Sequence, residues 1–306
     1  MAQDQKYCVA IAQLTPVFLD NEASLRKVAT ATKSAVDQGA KLILFPESFL
    51  PGYPRAMTFG TSVGQRTESG REIWQAFWEN SIAEDGPEVK RLAQIAIEHS
   101  VYLVMGVTER DQINRSLFCS FMIFDPGGRI IAKHRKIKPT AAERIIWAEG
   151  DGRSLITHQT SIGRIGGLIC WENYMPLARM ALYSSGIDIY LAPTADSRET
   201  WTVTLRHIAL EGRCFVLGCN QFFRSKDYNE KFHKYLEPDL PEVICQGGSM
   251  AVDPMGQVIA GPAWGEENIL MVELDFGLLI RSKLDFDPVG HYARGDLFTF
   301  NMNNRT

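Results

Sequence analysis

Cysteine is scarce in this chain, with six residues in 306, scattered from Cys8 to Cys245. So few thiols, mostly set in apolar stretches, exclude a disulfide-stapled secreted scaffold and suit reduced thiols in a cytosolic protein. No pair has CxxC spacing, and Cys214 and Cys219 lack an adjacent histidine to complete a zinc site, so neither metal nor cofactor is expected. Positive charge is not in excess: 32 Lys and Arg against 36 Asp and Glu leave a net charge of −4. That is the opposite of the basic stripe a nucleic-acid partner selects. Long apolar runs are missing too. The stretches 42–45 and 215–217 are strand-sized, far below the roughly 20 residues that span a bilayer, and no membrane partner is expected. The opening MAQDQKY has neither the basic nor the apolar region of a secretory signal, which predicts a cytoplasmic location. Repeats, low-complexity tracts and convincing linkers are also absent, and one domain over 1–306 is the expectation.

What is present is an alternation of strand-like and helix-like text. Residues 7–13 read as a strand. Asp20 or Asn21 caps a helix whose Leu25, Val28, Ala29, Ala35 and Val36 recur near a 3.6 period, and Gly39 ends it. A buried strand follows at 41–46. Pro87 stands at a first helical position, with Val89, Leu92, Ala93 and Ala96 on one face, ahead of a strand at 101–107. Strands at 116–124 and 129–135 flank the hairpin turn Asp125-Pro126-Gly127-Gly128. The second half gives strands at 165–169, 187–192 and 215–220, helices near 176–183 and 201–211, and a hairpin of 249–253 with 258–260. The polar, proline-containing stretch 224–243 reads as a long surface loop. This mixture predicts an α/β or α+β fold with large sheets covered by helices.

Three polar residues stand at the ends of apolar strands, where a side chain can project from a rigid sheet into a cleft. Glu47 follows Leu42-Ile43-Leu44-Phe45-Pro46 and precedes the turn Pro51-Gly52-Tyr53-Pro54; an acid that caps a loop explains it equally well. Lys136 lies in a basic run, which by itself reads more readily as a solvated sheet edge. Cys170 ends Gly163-Arg164-Ile165-Gly166-Gly167-Leu168-Ile169 and runs straight into Trp171-Glu172-Asn173, like a strand-to-helix elbow that exposes sulfur near backbone N–H groups. A buried cysteine is more often an inert small hydrophobe. That description suits Cys8, Cys119, Cys214, Cys219 and Cys245 better than Cys170.

Taken together, these positions resemble the nitrilase branch of the carbon–nitrogen hydrolase superfamily. The matching text is FPESFLPGYPR around Glu47, KHRKIKPTAAERIIWAEGDG around Lys136 and GRIGGLICWENYMPLAR around Cys170, with YLAPTAD at 190–196 and HIALEGRCFVLGCNQF at 207–222. Trp171 after the cysteine, and the stretch from Pro139 to Arg144, are similar to plant-type nitrilases and bacterial arylacetonitrilases rather than to relatives acting on amides. The resemblance implies a four-layer αββα sandwich with a C-terminal extension from about 275. It implies hydrolysis of an organic nitrile to a carboxylic acid and ammonia, with Cys170 as nucleophile, Glu47 as base and Lys136 stabilising the nitrogen. A second carboxylate falls on Glu143; without the resemblance it would read as a surface acid. Glu172 is read as structural, bonded to backbone at the elbow.

An apolar pocket is expected, because a nitrile offers a single weak acceptor. Tyr53, Trp147, Trp171, Thr194, Ala195 and Trp201 flank the motifs and are candidate substrate contacts, although each could equally be a packing residue. Arylaliphatic nitriles are the substrates the resemblance suggests first. It also implies a homodimer that builds larger oligomers or spiral filaments. Alternatives are a cyanide-degrading or amide-hydrolysing enzyme of the same superfamily, a non-catalytic binder on the same scaffold, and a cysteine protease pairing Cys170 with His134 or His207.

Overall fold

The computed structural model describes residues 5–303; positions 1–4 and 304–306 of the expected domain lie outside the described residues. In chain order the first half supplies strand β1 (Lys6–Gln13), helix α1 (Asn21–Asp37), β2 (Leu42–Leu44), the short β3 (Thr61–Ser62) and β4 (Gln65–Arg66), helices α2 (Glu68–Asn80) and α3 (Pro87–His99), then β5 (Tyr102–Arg110), β6 (Leu117–Phe124) and β7 (Ile130–Arg135). The second half supplies β8 (His158–Thr160), β9 (Gly163–Gly167), α4 (Pro176–Ser184), β10 (Ile189–Pro193), α5 (Glu199–Gly212), β11 (Phe215–Cys219), β12 (Phe222–Arg224), β13 (Val243–Val252), β14 (Val258–Trp264), β15 (Asn268–Asp275) and α6 (Gly277–Arg281).

Two sheets result. The first runs β15-β1-β2-β5-β6-β7 and the second β12-β13-β11-β10-β9-β8, with β14 beside β13. In each sheet the central pairs are parallel and the flanking pairs antiparallel: β1, β2 and β5 run together, as do β9, β10 and β11. Parallel strands need both faces covered, which is why β2, β10 and β11 are buried throughout. One face of each sheet meets the other: Ile11, Leu44 and Val104 pack in one core with Ile165, Leu191 and Leu217. The outer face of the first sheet (Ala10, Ile43, Leu103) packs against Val28 and Ala35 of α1 and Leu92 and Ile95 of α3. Tyr190, Val216 and Met250 on the outer face of the second meet Leu182 of α4 and Leu205 and Ile208 of α5. The layers are helix, sheet, sheet, helix, as the resemblance implied.

The cap of α1 is Asp20, whose side chain accepts the Ala23 N–H at 2.9 Å. Three features escape the sequence reading. Helix α2 starts from a Thr67 cap and buries Ile73 and Phe77 one turn apart. Strand β15 pairs with β1 along its whole length, from Lys6↔Asp275 to Gln13↔Asn268. The stretch 224–243, expected as a surface loop, holds the turns Ser225–Asp227 and Glu230–Tyr235. Its Tyr228 and Phe232 are buried edge-on against Phe18, with ring centroids at 5.0 and 5.3 Å. Apolar residues that anchor an irregular segment follow no period, so periodicity does not find them.

Candidate active site

Glu47 leaves the first sheet just past β2. The chain stays on β5 through the Phe45 N–H to Val104 carbonyl bond at 2.9 Å and the Phe49 N–H to Gly106 carbonyl bond at 2.9 Å. Gly106 makes that approach possible, since a Cβ there would stand 1.9 Å from the Pro46 carbonyl oxygen. From the second sheet, the Gln221 side chain donates to the Glu47 carbonyl at 2.8 Å. The Glu47 backbone is thus held from both layers, and the residue is 1% exposed.

Lys136 follows β7, and its N–H donates to the Cys119 carbonyl on β6 at 2.8 Å. The side chain turns inward and is completely buried, so the solvated-edge reading that the local sequence favours is corrected. A basic run on one line of text alternates across a sheet edge: Lys133 and Arg135 point out to Glu109, and Lys136 points in. Lys136 Nζ donates to Glu47 Oε1 and to Glu143 Oε2, each at 2.7 Å. Glu143 sits in a short turn begun by Thr140, whose N–H donates to Glu143 Oε2 at 2.6 Å, and Tyr53 Oη donates to Glu143 Oε1 at 2.8 Å.

Cys170 begins the turn Cys170–Tyr174 with φ +51°, a left-handed conformation uncommon for a side chain of this kind. The elbow is tied down on every side. Asn173 Nδ2 donates to the Cys170 carbonyl at 2.8 Å and to the Leu168 carbonyl at 3.0 Å, and Tyr190 Oη donates to Asn173 Oδ1 at 2.7 Å. Glu172 accepts the Ile169 N–H at 2.7 Å, as read from the sequence, and reaches further. It also accepts the Ile137 N–H at 2.6 Å and lies 2.9 Å from His134 Nε2. His134 Nδ1 lies 2.8 Å from Ser154 Oγ, so both ring nitrogens are engaged, while His207 lies exposed on α5 beside Glu211. Neither histidine is disposed as a protease partner for Cys170.

Charge and burial compete at this centre. Burial pushes the Cys170 thiol up to about 12, with Glu47 acting in the same direction and Lys136 and a Thr194 hydrogen bond opposing. Burial also raises the Glu47 carboxyl above its ordinary value against the pull of Lys136. For Lys136, burial disfavours the ammonium, but Glu47 and the other acids around it hold the charge firmly. Burial thus favours the neutral thiol, while the neighbouring acids keep the lysine charged. Among the described residues no group of three His, Cys, Asp or Glu side chains is placed to hold a metal ion.

A cavity of about 470 Å³ opens over Cys170 and Glu143, lined by Tyr53, Trp147, Trp171 and Ala195 among others. Trp171 forms the rim, with its indole N–H on Asp196 Oδ2 at 2.8 Å. Thr194 lies behind the sulfur and is not part of the lining. Trp201, expected as a substrate contact, is instead a packing residue: it is 2% exposed, in the core between the second sheet and its helices. Its position in the first turn of α5 turns the indole onto the sheet rather than into the cavity. Sequence reasoning missed Arg55, which lines the cavity, lies over the Tyr53 ring and donates to the Ala195 carbonyl. It also took Cys119 as an inert hydrophobe, yet its Sγ donates to Glu47 Oε1 at 3.4 Å. Residues 72 apart in sequence give no local sign of such a contact.

Comparison with known proteins agrees with this geometry. The carbon-nitrogen hydrolase family model matches residues 8–283. A bifunctional nitrilase/nitrile hydratase of Nicotiana tabacum is 48% identical over 294 residues, spanning 94% of this chain and 84% of its own length. An aliphatic nitrilase of Sinorhizobium fredii is 45% identical, with 96% of this chain and 94% of the relative covered. The NitFhit protein of C. elegans shares the fold at TM-score 0.76 and 20% identity, over 99% of this chain and 68% of that one. A branch 10 nitrilase-superfamily protein of Saccharomyces cerevisiae does so at TM-score 0.72 and 22% identity, over 97% and 99%. The chain belongs to the carbon–nitrogen hydrolase family and, within it, to the nitrilases.

Proposed function

We propose that this protein hydrolyses an organic nitrile to its carboxylic acid and ammonia, with Cys170, Glu47, Lys136 and Glu143 carrying the reaction. One observation supports this above all: a fully buried ammonium shared by two carboxylates at 2.7 Å each, beside a strained cysteine that opens on a cavity. A thiol held near 12 is neutral at rest, so attack requires a base to take its proton as the bond forms. Glu47, made more basic by burial, accepts that proton while the sulfur lone pair adds to the nitrile carbon. The displaced π pair settles on nitrogen, where the Lys136 ammonium stabilises it, and Glu47 returns the thiol proton to that nitrogen to give a thioimidate. Water adds, ammonia leaves, and a second water cleaves the thioester. Glu143 orients Lys136 and the water.

The aromatic lining of Tyr53, Trp147 and Trp171 favours arylaliphatic nitriles. A second product, the amide, is suggested by the tobacco relative, whose name includes nitrile hydratase activity. The same family likeness supports a single domain with an extension from about 275, a cytoplasmic location, and a homodimer that builds larger oligomers or spiral filaments. Exposed Leu177 on α4 and Val203 on α5 are consistent with self-association.

A panel of aliphatic, aromatic and arylacetonitriles, assayed for ammonia and amide, tests the reading. Ammonia is expected from at least one class. Cys170→Ala and Glu47→Gln should each lower kcat by about a thousandfold or more. No release from any nitrile, or turnover by folded Cys170→Ala, defeats it.

A further inference from the structure

Glu47 presents its two oxygens to different surroundings. Oε1 accepts from Lys136 Nζ at 2.7 Å and from Cys119 Sγ at 3.4 Å. Oε2 is buried and has no hydrogen-bond partner among the described residues. A buried carboxylate oxygen without a donor is unusual and retains full proton affinity, whereas donors on its twin withdraw charge. We propose that Cys119 is a positioning residue for the general base: together with Lys136 it anchors Glu47 through Oε1 and leaves Oε2 as the oxygen that takes the Cys170 proton. The inference rests on the reading of Glu47 as the base.

Cys119 suits the role because it holds both partners. Its backbone carbonyl accepts the Lys136 N–H at 2.8 Å, and its side chain donates to Glu47. It is fully buried on β6, whose neighbour on one side is β7, which leads to Lys136, and on the other β5, along which the Glu47 segment runs. Burial and the neighbouring carboxylate hold its thiol well above the usual range, so it keeps its proton and acts as a donor, never as a second nucleophile. In the reaction the Cys170 S–H bond breaks, its electron pair forms the S–C bond, and the proton goes to Oε2. Cys119 and Lys136 retain their own protons on Oε1 throughout. An S–H group is a weak donor, which sets the size of the expected effect.

The test pairs kinetics with infrared spectroscopy. Removing a donor from a carboxylate raises its pKa. Folded Cys119→Ala should therefore show the acid limb of kcat/KM displaced to higher pH and kcat lowered about tenfold, with KM little changed. Cys119→Ser, which keeps a donor stronger than S–H, should keep the acid limb at or below the wild-type position. The S–H stretch lost in Cys119→Ala should appear in wild type at the low frequency of a bonded thiol and rise in Glu47→Gln. An unmoved acid limb and wild-type kcat in Cys119→Ala overturn the proposal. So does an S–H band indifferent to Glu47→Gln, a readout that does not depend on Cys119→Ala folding. If Glu47→Gln turns over nitriles, the base assignment itself has failed. If that variant is inert while Cys119→Ala behaves as wild type, only the role of Cys119 has failed.

Discussion

The Lys136 ammonium is the keystone charge of the centre, because Glu47 and Glu143 both terminate on it. Removing one partner of a buried ion network leaves uncompensated charge, which costs about 3–5 kcal/mol. Lys136→Met should accordingly be destabilised on that scale in urea melts, and the folded fraction should lose about a hundredfold or more in kcat. Near-normal turnover would return this lysine to the role of a structural ion. Protonation of Glu47 has the opposite character. Its carboxyl is raised by burial, and only the ionised form can accept the thiol proton. Activity should thus be lost as pH falls through that raised value, above the ordinary glutamate figure of about 4.3. A pH profile of kcat/KM whose acid limb lies at or below the ordinary figure would contradict the assignment. Stability carries the reverse sign for this group. The folded state binds its proton more tightly than the unfolded chain, so between the unfolded and folded values its contribution declines as pH rises.

At the scale of elements, the strands end where the chemistry begins, and short polar ties fix how they end. The most consequential is Glu172, which joins the Cys170 elbow through Ile169 N–H to the lysine segment through Ile137 N–H and His134. Glu172→Ala would leave these donors without an acceptor, and unsatisfied buried groups cost about 1–3 kcal/mol each. A loss of at least about 3 kcal/mol is expected in denaturant melts. The acid limb of the surviving activity should not move, since Glu172 exchanges no proton in the proposed reaction. A displaced limb would make Glu172 a participant rather than a tie. These ties also explain what could be read from the text. Glu172 beside the cysteine was legible as an elbow residue because its Ile169 bond is local. Its bonds to His134 and Ile137 span 38 and 35 positions and were not. The same holds for β15. Strand β15 is an edge defined by a partner 255 or more residues earlier, with only partial burial along most of its length.

For the whole molecule, the site is a product of sheet stacking. Glu47 and Lys136 come from the first sheet, Cys170 and Thr194 from the second, and Gln221 reaches across to hold the Glu47 backbone. The apolar side chains that α4 and α5 leave exposed, Leu177 and Val203, predict association beyond the single chain. Light scattering should report at least two chains per particle, and Leu177→Glu with Val203→Glu should shift the mass toward one. A strict monomer for the wild type would remove the assembly proposal.

By itself the sequence determined the alternation of strands and helices, the αββα class through its motifs, and three strand-end residues, Glu47, Lys136 and Cys170. Those features are written in local periodicity and in contiguous text around each residue. Only the tertiary structure decided that Lys136 is buried rather than solvated, that Trp201 packs in a core, and that Cys119 touches Glu47. Each depends on which face a side chain takes and on what lies opposite it. A one-residue change of direction at a strand end decides the face, and a partner more than 70 positions away decides the contact.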